Sequence, residues 1–313
     1  MGIPNLNKLL VDNCSNNAIN KINLRELDGK TVVIDTSIYL YKYLGQNKLV
    51  EHFYLLISLL LHYKITPIFV FDGKPPAEKM ETLKQRKQNK RDAEHKFYEL
   101  QESISEDTTD ADKQTILTKM DALKKDFIRI RDVHIQTVKQ LMKFYGISYI
   151  NAPNEADVVC CELVISGHAW ACLSDDMDMF LYGCNRVLRF ISLLNHTAIL
   201  YDTGLILHDL EMSLTEFRYL SVPCGTDYNS SGNQKLSLYQ MYKHFKNYKK
   251  DKKASFSFDA YLLHNKFVEN AFYEICEMFC LDNNNTLQYE IVNNEKNNAE
   301  LQSFLTNYGF VFV

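Results

Sequence analysis

The sequence predicts an α/β fold with a mostly parallel central sheet. Two short apolar runs each end in an acid, at Asp35 and Asp72, and helical segments separate the apolar runs along the chain. Strands that alternate with helices are typical of parallel sheets. Hydrophobic residues make up 46% and charged residues 24% of the 313 residues, which is a globular composition. This composition excludes a disordered or collagen-like chain and predicts one large domain or two modest ones.

The first half of the chain predicts two buried strands followed by long helices. Residues 31–34 and 66–71 are the strands, and residues 41–62 have a helical period. Residues 77–145 contain neither Gly nor Pro, and their charged helical spacing predicts long helices. A polar break at residues 105–112 is expected to divide these helices.

The second half predicts further strands and helices in alternation. Gly146 is expected to end the preceding helix, and Pro153 with Asn154 to open the next one. The remaining predictions are strands at 147–150 and 169–173, two strands within 186–201, a helix over 204–222 and a loose Asn-rich segment at 282–300.

Acidic residues follow four of these predicted strands. Ligands of open parallel sheets bind beyond the carboxyl ends of the strands, so these acids are expected to meet at one edge. For one acid taken alone, such as Asp35, helix capping is the better interpretation. Four converging positions are harder to explain by capping, because close carboxylates repel one another unless cations neutralise them. The acids concerned are Asp35, Asp72, Glu155 with Asp157, and the group Asp175, Asp176 and Asp178.

Carboxylates without Cys or His partners suit Mg²⁺ or Mn²⁺. Two such ions about 4 Å apart clamp the attacking and leaving oxygens of a phosphodiester. The pattern therefore predicts metal-dependent phosphoryl chemistry, with a magnesium phosphatase as the main alternative.

Several other classes of protein are excluded by missing motifs. The eight cysteines form no CxxC pair and no zinc spacing, and no nucleotide-binding or HExxH motif occurs. The longest apolar run is too short for a membrane span, and the N-terminus lacks the regions of a signal peptide. We therefore expect reduced thiols, no membrane partner and an intracellular location.

The net charge of −4 hides two basic segments. Residues 74–91 carry seven basic residues against two acids, and residues 243–253 carry six Lys against one Asp, so each segment has a net charge of +5. Charge runs are most often solvated helix faces. Here Lys79 and Arg86 lie seven residues apart, on one helical face near the predicted acidic edge. Basic contacts around an acidic pit indicate an enzyme that acts on nucleic acid phosphodiesters.

Several segments within residues 1–228 carry a resemblance to a known family: 1–6, 33–37 with 41–44, 67–76, 152–157, 174–178 and 224–228. In these segments the sequence resembles the XPG/flap-endonuclease family of structure-specific 5′ nucleases. Residues 67–76 match one family motif nearly letter for letter, and the order and spacing of the motifs hold over residues 1–228.

The resemblance implies a PIN-like three-layer sandwich with a helical arch at about residues 77–145. Residues 1–228 would form the nuclease core, and residues 229–313 a degenerate helix–three-turn–helix and C-terminal helical DNA-binding region. Two Mg²⁺ ions, with Mn²⁺ as a substitute, would be the cofactors. Their ligands would be Asp35, Asp72, Glu155, Asp157, Asp176, Asp178 and Asp227, whereas Asp175 stands beside the ligands.

The resemblance also implies roles in catalysis and DNA binding. Lys79 and Arg86 would stabilise charge on the scissile phosphate, with Asp178 as a further catalytic residue. Tyr41 would stack on a base, although core packing is the alternative, and the backbone of Gly2 would lie near the phosphates. The complete set of expected DNA-binding residues is Gly2, Tyr41, Lys74, Lys79, Arg86, Lys87, Lys90, Arg91, Lys249 and Lys250. The segment at 105–112 would be mobile until DNA binds.

The sequence departs from the family after Tyr228. The family's glycine-rich GxGxxxA pattern is shortened in residues 229–236, which leaves K⁺ binding doubtful. Residues 302–308 faintly resemble a sliding-clamp-binding box, but Gly309 replaces its second aromatic residue, and a terminal core strand is the favoured interpretation.

We therefore predict a monomeric Mg²⁺-dependent 5′ nuclease that hydrolyses DNA with a 5′ flap or junction in replication, repair or recombination. It would act in the nucleus, or at a cytoplasmic replication site if viral. The alternatives are a processive 5′→3′ exonuclease and a catalytically inactive DNA-junction binder.

Overall fold

A sheet of eight strands runs through the described part of the chain. The computed structural model describes residues 2–104, 109–228, 236–250, 257–269, 271–281 and 289–312. In chain order the strands are β1 (Ile19–Asn23), β2 (Thr31–Asp35), β3 (Thr66–Phe71), β4 (Tyr149–Asn151), β5 (Ala171–Leu173), β6 (Arg186–Ser192), β7 (Thr197–Asp202) and β8 (Ile291–Val292).

The centre of the sheet is parallel, as predicted. The strand order is β1-β7-β6-β5-β2-β3-β4-β8. The five strands from β6 to β4 are parallel, whereas β7, β1 and β8 pair antiparallel at the two sides. The carboxyl ends of five neighbouring strands therefore open on one edge, where a ligand site is expected.

Helices cover both faces of the sheet. Their bounds are α1 (Leu6–Asn13), α2 (Thr36–Gly45), α3 (Leu49–His62), α4 (Met80–Glu102), α5 (Asp110–Asp126), α6 (Asp132–Tyr145), α7 (Ala156–Ile165), α8 (Asp178–Tyr182), α9 (Thr203–Asp209), α10 (Leu214–Ser221), α11 (Leu238–Lys250), α12 (Phe258–His264), α13 (Phe272–Glu277) and α14 (Asn298–Thr306).

Two hydrophobic cores lie on opposite faces of the sheet. Side chains of a strand point alternately to its two faces. In β2, Val33 belongs to the core that α1, α7 and the later helices cover, while Val32 and Ile34 belong to the core under α2, α3 and α6. The predicted three-layer α/β architecture is confirmed.

The helix predicted over residues 41–62 is two helices. The chain leaves the α-helical conformation after Gly45, and Asn47 adopts a left-handed backbone with φ 55°. Asn tolerates this conformation better than most residues, so the break is encoded locally but does not disturb the apolar period. At Gly146 the prediction is confirmed, because this residue ends α6 with φ 74°.

Helices α4 and α5 pair at the position of the predicted arch. Phe97 and Phe127 make an edge-to-face contact at 5.4 Å between centroids, and Arg129 forms an ion pair with Glu94. Helix α6 differs, because Val138 and Leu141 are buried in the core of the body. Residues 105–108 of the predicted mobile segment lie outside the described residues, and α5 begins just after them, capped by Thr109.

The C-terminal residues return to the same sheet. Strand β8 pairs with β4, and Phe304 of α14 contacts Phe144 of α6 at 5.7 Å. The predicted terminal strand is wrong, because Leu301, Phe304 and Leu305 are spaced for one face of a helix and are buried there. The boundary predicted at residue 228 stays a prediction.

The faint clamp-binding box overlaps this helix. Leu305, which supplies the apolar position of the box, is buried in the core and is not presented at the surface. No helix among the described residues is long and apolar enough to cross a membrane.

Candidate active site

Six predicted ligands surround one cavity of about 260 Å³; five of them follow the carboxyl ends of parallel strands, and Asp227 comes from the loop after α10. Asp35 ends β2, Asp72 follows β3, and Asp176 lies just beyond β5. Glu155 and Asp157 stand at the start of α7, which follows β4. The acids that line the cavity are Asp35, Asp72, Glu155, Asp157, Asp176 and Asp227.

The turn after β3 needs a glycine to bring Asp72 to α7. A side-chain carbon on Gly73 would lie 2.1 Å from the carbonyl oxygen of Ala152, so only glycine allows this approach. The Gly73 N–H donates to the Asn154 carbonyl at 2.6 Å, and the Asp72 carboxylate accepts the N–H of Ala156 at 2.8 Å. The turn thereby fixes Asp72 against the first turn of α7.

Burial and mutual repulsion raise the pKa of two of these acids. Burial, followed by the charges of Asp72 and Asp176, raises the pKa of Asp35 to about 8. The hydroxyl of Ser174 donates to Asp35 at 3.1 Å and offsets part of this effect. Burial and then the charges of Asp35 and Asp176 raise the pKa of Asp157 in the same way. The acids are therefore crowded beyond what the protein alone neutralises.

Asp178 is the most extreme member of the group. It lies behind Asp176, to whose Oδ1 its N–H donates at 3.1 Å, and its side chain does not line the cavity. The residue is 1% exposed, and neither of its carboxylate oxygens has a hydrogen-bond partner among the described residues. Burial, followed by the charges of Asp176 and Asp227, raises its pKa.

These features fit divalent metal ions. A buried carboxylate without partners and a ring of repelling acids call for positive charge, and an all-oxygen donor set suits Mg²⁺ or Mn²⁺. Within the described ranges, no three acidic, His or Cys side chains already form a closed ligand cage. The acids instead surround an open cavity.

Two cations enter the cavity, Lys79 from the residue just before α4 and Arg86 from within this helix. Lys79 is 7% exposed, and its Nζ lies 2.5 Å from Glu155 Oε1 and 3.9 Å from Asp227 Oδ2. Burial by itself lowers the pKa of Lys79, but Glu155 and then Tyr228 outweigh burial and raise it. Arg86 is 42% exposed and donates to Asp227 Oδ1 at 2.5 Å. Lys79 is thus a fixed buried charge, whereas Arg86 can leave its partner and remain solvated.

A pair of tyrosines that the sequence did not single out supports Lys79 and Glu155. The Tyr228 hydroxyl donates to Glu155 Oε2 at 2.8 Å and lies 3.1 Å from the hydroxyl of Tyr182. The ammonium group of Lys79 lies 4.7 Å from the Tyr228 ring centroid, within cation–π range. The only sequence signal for this role is that Tyr228 follows Asp227.

We expect Tyr228→Phe to weaken this support without removing the ring. Glu155 loses one hydrogen bond from a donor while the cation–π contact remains, so unfolding should become easier by about 1 kcal/mol. Denaturant unfolding measures this difference, and Tyr98→Phe, on the exposed face of α4, is the control. Equal stabilities of Tyr228→Phe and wild type would contradict the assigned hydrogen bond.

Tyr41 lines the cavity and does not belong to the core. It is 38% exposed, and the Lys90 ammonium lies 4.6 Å from its ring centroid. Lys90 also donates to the carbonyl of Ile128 at 3.0 Å, at the start of the connection to α6. An adjoining cavity of about 540 Å³ continues from Tyr41 and Arg86 towards Lys90. Core packing is therefore not the role of Tyr41.

Gly2 lies directly against two of the acids. A side-chain carbon on Gly2 would be 2.6 Å from Asp176 Oδ1 and 2.7 Å from Asp178 Oδ1, and its φ is 79°. The N-terminal segment thus forms one wall beside the acids.

The other predicted DNA-binding residues lie outside the cavity. Lys74, Lys87 and Arg91 are exposed beside it. Lys249 forms an ion pair with Glu216 at 2.9 Å, and Lys250 is exposed at the end of α11. Residues 229–235, which hold most of the degenerate glycine-rich pattern, and Lys252 with Lys253 lie outside the described residues.

Sequence reasoning also missed smaller polar groups of the site. Ser37 donates to Asp72, and Ser174 donates to Asp35 and accepts the Asp176 N–H at 3.1 Å. Each serine lies two residues from a predicted ligand at a strand end, Ser37 after Asp35 and Ser174 before Asp176, which is the one signal that points to them.

An acid-lined cavity with two cations, at the carboxyl edge of a parallel sheet, defines a site for metal-dependent phosphoryl chemistry. Models of two protein domains match the chain: the XPG N-terminal domain over residues 1–93 and the XPG I-region over residues 146–227. Flap endonuclease 1 of Monosiga brevicollis is 31% identical over 266 residues, covering 79% of this chain and 69% of that protein. This chain belongs to the XPG/flap-endonuclease family of structure-specific nucleases, which are metal-dependent.

Other relatives and solved structures agree with this assignment. Flap endonuclease 1 of Methanococcus aeolicus is 31% identical, covering 67% of this chain and 66% of that protein. A probable RAD2-like endonuclease of Invertebrate iridescent virus 6 is 29% identical, with 74% and 68% covered. The chain spans about two thirds of the length of such relatives.

Solved structures share the fold. The catalytic core of Rad2 in complex with DNA substrate superposes with a TM-score of 0.69 at 20% identity, covering 99% of this chain and 96% of that one. The flap endonuclease-1 from Methanococcus jannaschii gives a TM-score of 0.64 at 24% identity, with 95% and 91% covered.

Proposed function

We propose that this chain is a divalent-metal-dependent 5′ nuclease that hydrolyses DNA phosphodiester bonds at junctions between single and double strands. The observation that carries the proposal is the convergence of six acids and two cations, Lys79 and Arg86, on one cavity. A negatively charged phosphate needs cations around it. The acids would repel the phosphate unless metal ions neutralised their charge.

Two Mg²⁺ ions, for which Mn²⁺ can substitute, are part of the proposal. Bound metal would activate water and neutralise charge on the scissile phosphate. The residues that would hold it are the lining acids Asp35, Asp72, Glu155, Asp157, Asp176 and Asp227, together with the unpartnered carboxylate of Asp178.

The two cations have different tasks in this proposal. Lys79 is buried and fixed, so it stabilises negative charge on the phosphate without reorganising. Arg86 is partly exposed and can transfer its hydrogen bonds from Asp227 to an arriving phosphate oxygen. Metal at Asp227 would release Arg86 from the carboxylate that now holds it, while Lys79 would stay in place.

DNA reaches the site from the side of Tyr41 and α4. The Tyr41 ring offers a face for a base, and the exposed basic residues Lys74, Lys87 and Arg91 offer backbone contacts. Gly2, Lys90, Lys249 and Lys250 complete the proposed contacts. The enzyme would act as a monomer where DNA is copied or repaired, in the nucleus or at a cytoplasmic replication site if the chain is viral.

Three 5′-labelled substrates test the proposal: a flap, a nicked duplex and a blunt duplex, each with Mg²⁺ or with EDTA. Flap-length products that need Mg²⁺ are the expected result. Mononucleotides from all three substrates would instead identify a processive exonuclease. Tight binding without cleavage would identify an inactive junction binder and refute the proposed activity.

Mg²⁺ is expected to stabilise the protein even without DNA. Free Mg²⁺ at 100 times its dissociation constant adds about 2.7 kcal/mol to the free energy of unfolding, because the metal binds only the folded state, where it relieves the repulsion among the acids. Thermal unfolding with increasing MgCl₂ measures this effect, with NaCl at equal ionic strength as the control. A midpoint that rises equally in both salts would contradict a specific metal site.

A further inference from the structure

Arg189 is an arginine buried without a carboxylate partner. It lies on β6 and is 4% exposed. Within the described residues it forms no ion pair, and its Nε has no hydrogen-bond partner. A buried unpaired charge is costly, so a specific role is expected to maintain it.

The guanidinium joins two parts of the chain that are distant in sequence. One terminal nitrogen donates to Asn7 Oδ1 of α1 at 2.6 Å, and the other donates to the carbonyl oxygen of Asp175 at 2.9 Å. Asp175 precedes Asp176, the acid that follows β5. The planar fork of arginine suits such a bridge, whereas lysine is a single point donor.

The side chain of Asp175 in turn accepts a hydrogen bond from the residue that follows Arg189. Its Oδ1 accepts the N–H of Phe190 at 2.8 Å. Phe190 has a left-handed backbone, φ 53°, at the irregularity between β6 and β7. A bulky residue in this conformation is strained and persists only where neighbours enforce it. The Arg189–Phe190 segment and Asp175 therefore hold each other through two opposed hydrogen bonds.

The hydrogen bond from Arg189 to Asn7 of α1 also links this side chain to the acids, through the N-terminal segment. Asn7 Oδ1 also accepts the Tyr201 hydroxyl at 2.8 Å, so it is a shared acceptor in the interior. The segment before α1 carries Gly2, which lies against Asp176 and Asp178. One buried side chain thus touches both structures that border these two acids.

We propose that Arg189, together with Asp175, is a positioning residue that sets Asp176 and Asp178 for metal binding without contacting metal or substrate. The inference rests on the proposed function for its metal site. It adds a specific cause for the position of the two acids: a clamp, formed by Arg189, Asp175 and Asn7, that fixes the loop after β5.

The experiment measures metal binding in the full chain, independently of cleavage. MgCl₂ is titrated into each variant, and the rise of the melting temperature with Mg²⁺ concentration is fitted to give the half-saturating concentration of the folded protein, which is its dissociation constant for Mg²⁺. The variants are Arg189→Met, Arg189→Lys, Asn7→Ala, Asp175→Ala and Asp175→Asn. Arg186→Met is the matched control, because Arg186 lies on the same strand but stacks on Trp170 at 5.0 Å.

Arg189→Met and Asp175→Ala are expected to raise the half-saturating Mg²⁺ concentration about 10- to 100-fold, as loss of an outer-shell partner does. Asp175→Asn keeps an acceptor for Phe190 and should stay close to wild type. Arg189→Lys and Asn7→Ala each keep part of the clamp and should lie between these extremes. Arg186→Met is expected to lower the melting temperature of the metal-free protein only.

Wild-type half-saturation in Arg189→Met would overturn the inference. If Arg189→Met does not fold, wild-type half-saturation in both Asn7→Ala and Asp175→Ala would overturn it equally. A wild-type protein that binds Mg²⁺ but does not cut DNA would refute the proposed nuclease activity and leave this titration as a valid test of the clamp.

Discussion

Asp178→Asn is expected to reduce DNA cleavage about 100- to 1000-fold and, at the same time, to stabilise the metal-free protein by about 1 kcal/mol. Both effects come from one position. The carboxylate of Asp178 is buried near the charges of Asp176 and Asp227, and in the part of the chain that the structure describes neither of its oxygens has a hydrogen-bond partner. A buried carboxylate without hydrogen bonds is unfavourable by itself and is expected only where it binds a cation.

The stability gain follows from the direction of the pKa shift. The raised pKa means that ionising Asp178 costs more free energy in the folded protein than in the unfolded chain. At neutral pH, above the ordinary pKa of an aspartate, the native side chain therefore opposes folding. An amide of the same shape carries no charge and can donate to Asp176. Strain stored at a functional site is released when the function is removed.

The measurement pairs flap cleavage with chemical unfolding in EDTA. Asp175→Asn is the matched control, because Asp175 is the neighbouring acid of the same loop but its carboxylate accepts the Phe190 N–H. DNA binding by Asp178→Asn should persist. Cleavage at the wild-type rate would remove Asp178 from the catalytic group, and a less stable metal-free variant would contradict the repulsion argument.

Lys79→Met is expected to reduce cleavage about 100- to 1000-fold and to destabilise the metal-free protein by about 3 kcal/mol. Lys79 is nearly fully buried and sits 2.5 Å from Glu155. Removing it leaves the partly buried Glu155 carboxylate without its cation, which is the costly way to break a buried pair. The methionine fills a similar volume, so packing contributes little to the loss.

A double variant separates the two effects. Lys79→Met with Glu155→Gln removes both charges and should recover most of the stability, but cleavage should stay low because the cation near the phosphate is still missing and a proposed metal ligand is lost as well. Arg86→Met is the comparison. Since Arg86 is partly exposed, its loss should reduce cleavage with less than about 1 kcal/mol of destabilisation.

Unfolding in EDTA and single-turnover cleavage give the two quantities. A double variant as unstable as Lys79→Met would show that the ion pair is not the source of the stability loss. A double variant that regains cleavage would show that Lys79 acts only by neutralising Glu155.

The strand ends and the positions of the acids could be predicted from the sequence, whereas elements that depend on long-range contacts could not. Residues 66–71 form a strand as predicted, because a short apolar run bounded by an acid and a Gly-Lys-Pro-Pro turn allows few alternatives. Residues 302–308 gave the wrong element, since a few apolar residues near the terminus fit a strand as well as a helix. Burial of Phe304 against Phe144 decides in favour of the helix.

The two edge strands, β1 and β8, could not be predicted from the sequence for the same reason. Residues 19–23 alternate polar and apolar side chains only weakly, and they form β1 because β7 offers a partner. Tyr228 and Arg189 likewise look ordinary in the sequence. Their importance arises from partners that lie 73 and 182 residues away, Glu155 and Asn7.

The candidate site residues could be predicted from the sequence, because acids at the ends of apolar strands and a basic helix face are local patterns. The meeting of these acids could be predicted as well, because parallel strands end at one edge. The electrostatic states of the residues follow from the tertiary structure alone. Among the described residues, the Asp178 carboxylate has no hydrogen-bond partner, the buried Lys79 pairs with Glu155, and the partly exposed Arg86 pairs with Asp227. These states depend on burial and distance, and therefore on how every element packs around the cavity.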